Sequence, residues 1–245
     1  MNRGIYTTSL GMSALQRGMD VTANNLANAS TTGFKRDGLI FQDTLQREMY
    51  ANGGFGQSVG KLGAGAQPVE EYTIRENGAI NLTNNPLDMA ITTPNGMFAI
   101  KVGNETKYTR DGAFAIDEQR RLVTKNGYPV LDPSGDEITI PAGAIQVDDG
   151  GAISVGGAVV AQVGVFNLNA NSAFIKEGEN LFSATNGATA VDDSPIAASS
   201  LEASNVNAVE SMLDMIKIGR LFELSQKNIQ GQDELLQRLI SSLNE

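Results

Sequence analysis

The stretch TKYTRDGAFAIDEQRRLVTKNGYPVL, residues 106–131, decides how this chain is built. Thr106–Arg110 and Ala113–Asp117 flank Asp111-Gly112, and Leu122–Lys125 and Tyr128–Leu131 flank Asn126-Gly127. Asp-Gly and Asn-Gly tolerate positive φ, so they suit two-residue turns and predict two hairpins in succession. Downstream, Glu137–Ile140, Ala144–Val147, Ala152–Val155 and Val159–Leu168 extend the series of short strands. Asp132-Pro-Ser-Gly135 and Asp148-Asp-Gly-Gly151 break it. No segment of helical period interrupts this region. That predicts a compact domain of short antiparallel strands rather than a parallel βαβ fold.

Outward from this region the period changes from two to three and a half. Ile5, Thr8, Met12, Leu15, Met19, Thr22 and Leu26 alternate steps of three and four, which predicts a helix from about Ile5 to Asn28. The turn formers Asn28–Gly33 end it, with Gly33 as a candidate cap. At the other end, Asn207 followed by Glu210 has capping-box spacing and opens a second, longer helix. One seam of that helix runs through Met215, Ile218, Phe222, Ser225, Ile229, Gln232, Leu236 and Leu239. Its apolar face also takes in Leu213, Ile216, Leu224, Leu235 and Ile240, more than one seam needs. Gly219 and Gly231 lie inside it and mark either kinks or places where another helix comes close. The Gly-rich stretch 51–66 reads as a loop or adaptable connector.

The expected fold class is therefore α+β: long N- and C-terminal helices paired in a coiled-coil-like manner, with an inserted all-β domain. The expected division places residues 1–34 with 202–245 in a terminal helical domain. Residues 35–75 form an irregular or extended connector, and 76–201 the β-rich domain.

Composition removes most chemistry. The chain has 245 residues, a net charge of −10, and no Cys, His or Trp. Disulfides, Cys/His metal sites, thiol nucleophiles and imidazole acid–base mechanisms are excluded. Gly56-Gln-Ser-Val-Gly60 matches the G-x-S-x-G pattern, but it sits in a Gly-rich stretch and no His exists to serve as base. Asp132, Asp136, Glu137, Asp148 and Asp149 lack the spacing of a calcium loop and read as turn residues. No catalytic, metal or cofactor site is expected. Between Asn126 and Ile216 one basic residue, Lys176, stands against 12 acidic ones, and Lys35-Arg36 reads as a solvated pair, so no nucleic-acid footprint is present. The first residues hold no apolar run of the kind a cleaved secretory signal needs, and no stretch is apolar enough to cross a membrane.

Ala23-Asn-Asn-Leu-Ala-Asn-Ala-Ser-Thr-Thr-Gly-Phe-Lys-Arg36 resembles the N-terminal signature of the flagellar rod and hook family. Asn85–Ile91, Tyr108–Phe114, Gly178-Glu-Asn-Leu-Phe182 and Leu201–Asn207 resemble its further motifs, in the family's order and over nearly the whole chain. The length suits its rod members better than its larger hook protein; the resemblance is to the proximal rod member first and the distal one next, Gly63-Ala-Gly65 through Pro68-Val69 resembling the distal one as much. The resemblance implies a non-enzymatic axial subunit, exported unfolded by the flagellar type III apparatus without a cleaved signal and placed in the basal-body rod outside the cytoplasm. It implies as partners other copies of this chain, further rod and hook subunits and the export apparatus, with no nucleic acid and no membrane insertion.

The residues expected to pack between subunits are Leu15, Met19 and Leu26 in the first helix and Leu213, Ile216, Phe222, Ile229, Leu236 and Leu239 in the second. Asn24, Asn25 and Asn28 stand between two roles, hydrogen bonds across helices or capping at the surface. Two readings from other classes remain open: a carbohydrate-binding or carbohydrate-active β domain, and a cytosolic coiled-coil adaptor.

Overall fold

The structure is a computed structural model that describes residues 3–43, 46–50, 58–63, 66–168, 173–191 and 195–243; side chains are described for these except 3, 41–43, 46–50, 58–63, 66–70, 239 and 243. The architecture is α+β, two long helices at the ends of a succession of short antiparallel strands. It divides into two compact units. Unit 1 comprises residues 1–27, 37–72 and 207–245, and unit 2 residues 28–36 and 73–206.

Unit 1 begins with helix α1 (Arg3–Ala27). Strands β1 (Asp37–Asp43), β2 (Gln46–Tyr50), β3 (Ser58–Gly63) and β4 (Ala66–Thr73) follow. β1 pairs with β4 and β2 with β3, so the chain runs out and back as a two-stranded ribbon. The stretch expected as an irregular or extended connector holds these four strands. Alternation in Ala66–Thr73 is weak and glycines dilute Ser58–Gly63, which is why the period-two signal fails there. Ser58–Gly60 of the G-x-S-x-G pattern lies within β3, not at a strand-to-helix turn, while Gly56 and Gln57 lie outside the described residues.

Helix α2 (Ala208–Leu243) closes the unit as one unbroken element of 36 residues, ~54 Å long at 1.5 Å per residue. Asn207 is its N-cap: its side-chain oxygen accepts from the amides of Val209 at 3.1 Å and Glu210 at 3.3 Å. The helix continues through Gly219 and Gly231, and a Cβ on either would meet nothing within 4 Å among the described residues.

Unit 2 carries β5 (Ile80–Leu82), β6 (Met89–Ile91), β7 (Met97–Val102), β8 (Glu105–Thr109), β9 (Phe114–Ile116), β10 (Leu122–Thr124), β11 (Ile145–Val147) and β12 (Ala152–Val155). After these come β13 (Ala158–Gln162), β14 (Val165–Leu168), β15 (Phe174–Gly178), β16 (Leu181–Ala184), β17 (Ala188–Ala190), β18 (Ile196–Ala198) and β19 (Ser200–Glu202). Its largest sheet has the antiparallel order β15-β16-β8-β7-β14-β17.

Both faces of that sheet are covered. Phe98 and Ile100 on β7 join Met89, Leu122, Val130 and Ile140 in one core, whereas Met97 and Ala99 join Tyr108, Phe166, Phe174 and Phe182 in the other. Burial on both sides explains why Met97–Ile100 is a continuous apolar run. Edge-to-face contact of Phe98 with Phe114, centroids 5.1 Å apart, anchors the first core.

One of the two expected hairpins forms. The chain reverses at Asn126-Gly127, with the Thr124 amide donating to the Tyr128 carbonyl at 2.9 Å. Asp111-Gly112 does not reverse it: β8 pairs with β7 and β16, whereas β9 pairs with β10. The backbone at Gly112 instead presses against Met89, where a Cβ would come within 1.6 Å of the Met89 carbonyl oxygen. The run expected as one strand over Val159–Leu168 is two, broken at Val163-Gly164. Asp132 and Asp148 each accept backbone amides two and four residues on, Ser134 and Asp136 in one turn and Gly150 and Ala152 in the other.

Candidate functional site

Two features stand out as candidates, one in each unit. In unit 1, α1 and α2 pack antiparallel: Gly4 lies against Gln232, and Gly18 lies 3.6 Å from a methyl of Ile218 by its Cβ position. The less exposed side of α2 runs through Met215, Ile218, Phe222, Ser225, Ile229, Gln232 and Leu236, the seam read from the sequence, in steps of three and four. On α1, Ile5, Thr8, Met12, Leu15, Met19, Thr22 and Leu26 are all half-buried. The closest approach is one step round the helix, at Gly4 and Gly18, on the side that also carries the buried Ala14. The sequence reading passed over this side because it followed large apolar residues, whereas backbones approach most closely over small ones. Thr8 and Thr22 donate their hydroxyls to the carbonyls of Gly4 and Gly18, each at 2.8 Å, so the seam leaves neither hydroxyl bare.

The other candidate packing residues separate by face. Phe222, Ile229 and Leu236 lie on the seam, and the side chain of Leu239 lies outside the described residues. Leu213 and Ile216 face away from it, each 53% exposed, and with Val209 and Met212 they make an apolar stripe on the other side of α2. Among the described side chains of the two helices, Ala14 is the only apolar one that is fully buried.

The asparagines also separate. Asn24 is exposed and Asn28 half-buried, with the Thr31 hydroxyl donating to the Asn28 side chain at 3.1 Å. Asn25 is buried, and its amide makes a two-point contact with Asp37: Nδ2 donates to the Asp37 carbonyl at 2.8 Å, and Oδ1 accepts the Asp37 amide at 2.9 Å. It pins the start of β1 to α1, a role that neither sequence reading of the asparagines included.

In unit 2, Lys35, Arg110 and Glu202 form a charged cluster with side chains no more than 1% exposed. Glu202 Oε1 accepts from Lys35 Nζ at 2.6 Å and from the Gly78 amide at 2.8 Å, and Oε2 accepts from Arg110 Nε at 2.5 Å. Two cations thus share one carboxylate. Backbone and amide oxygens accept further bonds from both cations: Glu76 from Lys35, and Ile91, Gly96 and Asn77 from Arg110. Burial pushes the Lys35 ammonium below its ordinary value, opposed by its hydrogen bond to Glu202, and it acts on Arg110 in the same direction.

Next to this cluster Asn205 accepts the Arg36 amide at 2.7 Å and donates to the carbonyls of Ile74 and Glu76, both at 3.0 Å. Lys176 sits 3.8 Å from the centre of the Phe34 ring and donates to the Lys35 carbonyl at 3.0 Å. Gly33 is required rather than a helix cap: it has φ +66°, its amide donates to the Glu202 carbonyl at 2.8 Å, and a Cβ there would meet the Arg110 carbonyl at 2.5 Å.

Lys35 is therefore no solvated cation, contrary to the reading of Lys35-Arg36 as a surface pair. Its partner stands 167 positions away, which no local pattern reveals. The one available signal was that each of the three charges lies within a quoted motif. All five motifs meet here: Asn180 donates to the Thr32 carbonyl at 2.9 Å, Thr32 to Asp111 at 2.7 Å, Arg110 to the Ile91 carbonyl at 2.9 Å, and Glu202 joins the last motif to Lys35 and Arg110. Lys35, Arg110 and Glu202 all belong to unit 2.

Comparison with known proteins gives three family matches in sequence order. Residues 5–35 match the family described as flagella basal body rod protein. Residues 90–155 match the flagellar hook protein FlgE/F/G D1 domain, and 197–242 the C-terminal part of the flagellar basal body rod FlgEFG protein. The flagellar basal-body rod protein FlgF of Caulobacter vibrioides is 33% identical, the match covering 99% of this chain and 98% of that one. FlgG of Buchnera aphidicola is 32% identical (96% and 97% covered) and FlgG of Bacillus subtilis 31% (98% and 99%). Matches of this length, through both terminal helices and the β unit between them, show that the chain belongs to the flagellar basal-body rod and hook family, as a structural rod protein.

Proposed function

We propose that this chain is a subunit of the proximal flagellar rod, and that it polymerises by covering the outer faces of its terminal helices with those of neighbouring subunits. Ile5-Tyr6, Val209-Glu-Ser-Met212 and Arg220-Leu-Phe-Glu223 resemble the proximal rod protein, and the FlgF relative is matched over almost its full length. As a member of the basal body it assembles with copies of itself and with other rod and hook subunits. It reaches that place through the flagellar export apparatus and carries no catalytic role.

The observation that carries this reading is the apolar surface left on α2. Val209, Met212, Leu213, Ile216, Leu221, Leu224, Leu235 and Ile240 are each at least half exposed. Covering one such side chain contributes about 1.5–3 kcal/mol, so a few of them per contact outweigh the cost of ordering a neighbour. The α1–α2 seam, with its three-and-four spacing, supports a coiled-coil-like pair as the unit that polymerises. Repetition by a rotation that does not close a ring produces a helical tube, a geometry suited to carrying torque.

Ile216→Asp tests this. A subunit with that change is expected to fold as before, because Ile216 touches solvent, and to be missing from purified basal bodies. Normal incorporation would remove the outer face of α2 from the contact. Leu236→Asp, on the seam, is expected to block incorporation while leaving the β unit folded.

A further inference from the structure

The chain passes between the two units at residues 27/28, 36/37, 72/73 and 206/207. The three segments of unit 2 next to these passages are Asn28–Arg36, Thr73–Gly78 and Ser200–Val206. We propose that Glu202 and Asn205 interlock these three segments, so that they open and close as one cooperative element rather than fraying one by one.

The connections are reciprocal. Glu202, on the outgoing segment, holds Lys35 of the incoming segment and the Gly78 amide of the returning one. Asn205 holds Arg36 together with Ile74 and Glu76. The backbones bond directly as well: Gly33 to Glu202 at 2.8 Å, Ile74 to Arg36 at 2.8 Å, Ala203 to Ala79 at 2.8 Å and Asn205 to Phe34 at 3.3 Å. Gly78 is in van der Waals contact with this layer, since a Cβ there would lie 1.9 Å from the Ala203 carbonyl oxygen.

Opening one segment therefore strips partners from two others. A buried carboxylate that loses Lys35 still faces desolvation, and two buried cations that lose Glu202 have only neutral oxygens left, so partial opening is costly. An apolar cluster of the same volume would hold the segments as firmly. What the charges add is that each partner is specified and none can be replaced by a slipped neighbour.

Hydrogen exchange on the full-length chain, read by mass spectrometry, tests the interlock. In Glu202→Gln, the amides of Gly33, Gly78, Ala203 and Asn205 are expected to exchange about tenfold faster or more, together, while Ala99 and Ile100 in β7 keep their protection. Acceleration confined to Gly78, whose acceptor is altered directly, overturns the proposal. Should the Gln variant fail to fold, Lys35→Met decides. It changes only the incoming segment, yet Ala203 and Asn205 in the outgoing one are expected to accelerate by a similar factor. Wild-type rates at those two amides would show that the segments open independently.

Discussion

In unit 2, Phe98, Ile100 and Leu122 have no exposed surface, whereas in α2 Leu213 and Ile216 leave more than half of theirs in water. Chains with this contrast hold two kinds of stability. The β unit buries apolar side chains on both faces of its main sheet and pairs its buried Lys35, Arg110 and Glu202 with one another. The helix pair half-buries a seam through Met215, Ile218, Phe222, Ile229 and Leu236, while Leu213, Ile216, Leu224 and Leu235 remain exposed. The first arrangement completes itself within one chain; the second leaves apolar surface in water, which under the proposed function a neighbouring subunit covers.

That contrast can be broken from either side. The largest effect is expected from Phe98→Ala, which empties the first core and removes the contact with Phe114. It should destabilise the β unit by about 3–5 kcal/mol in denaturant unfolding. A loss below ~1 kcal/mol would mean that the core is not the source of its stability. Gly231→Ala acts on the other region. With open space around that position, it should stabilise α2 by about 1 kcal/mol, seen as a higher helical melting temperature. If the same variant is refused by assembling rods, a neighbouring subunit approaches at Gly231; normal assembly places the contact elsewhere along the helix.

Ile216→Asp should shift the unfolding midpoint of the isolated chain by less than about 0.5 kcal/mol while abolishing assembly. A large loss in the isolated chain would show that its own residues already cover this face.

The smallest effect concerns pH. Hydrogen bonds from Lys101 and then Arg121 hold the Glu137 carboxyl below its ordinary value of 4.5. A carboxylate with a lowered folded value contributes stability that is present above 4.5 and is lost as pH falls through the folded value. Because this network is largely exposed, Glu137→Gln should flatten the acid limb of the stability curve only slightly, and less at high salt. A steeper acid limb in the variant would reverse the sign assigned to Glu137.

Much of the fold was legible because its signals are local. A helix repeats every 3.6 residues, so the seam Met215–Leu236 and the N-cap at Asn207 could be read without knowing what they touch. Asn126-Gly127 is legible as a turn for the same reason. Asp111-Gly112 has the same turn preference, yet Arg110 before it turns inward to Glu202, 92 positions away, and the following strand leaves with another partner. The outer stripe of α2 was legible as excess apolar surface, but the α1 residues that come closest to α2 were not, because glycine carries no hydrophobic signal.

The sequence by itself determined the two terminal helices, the β region between them along the chain and the surplus of apolar residues at the two ends. It did so because side-chain period and composition are properties of short stretches. Only the tertiary structure decided that Lys35, Arg110 and Glu202 are interior and joined, that Asn25 holds the start of β1, and which side of α2 is left uncovered. A charge can stay inside only where its counter-charge and enough carbonyl oxygens arrive together, and those groups come from parts of the chain that no local pattern relates.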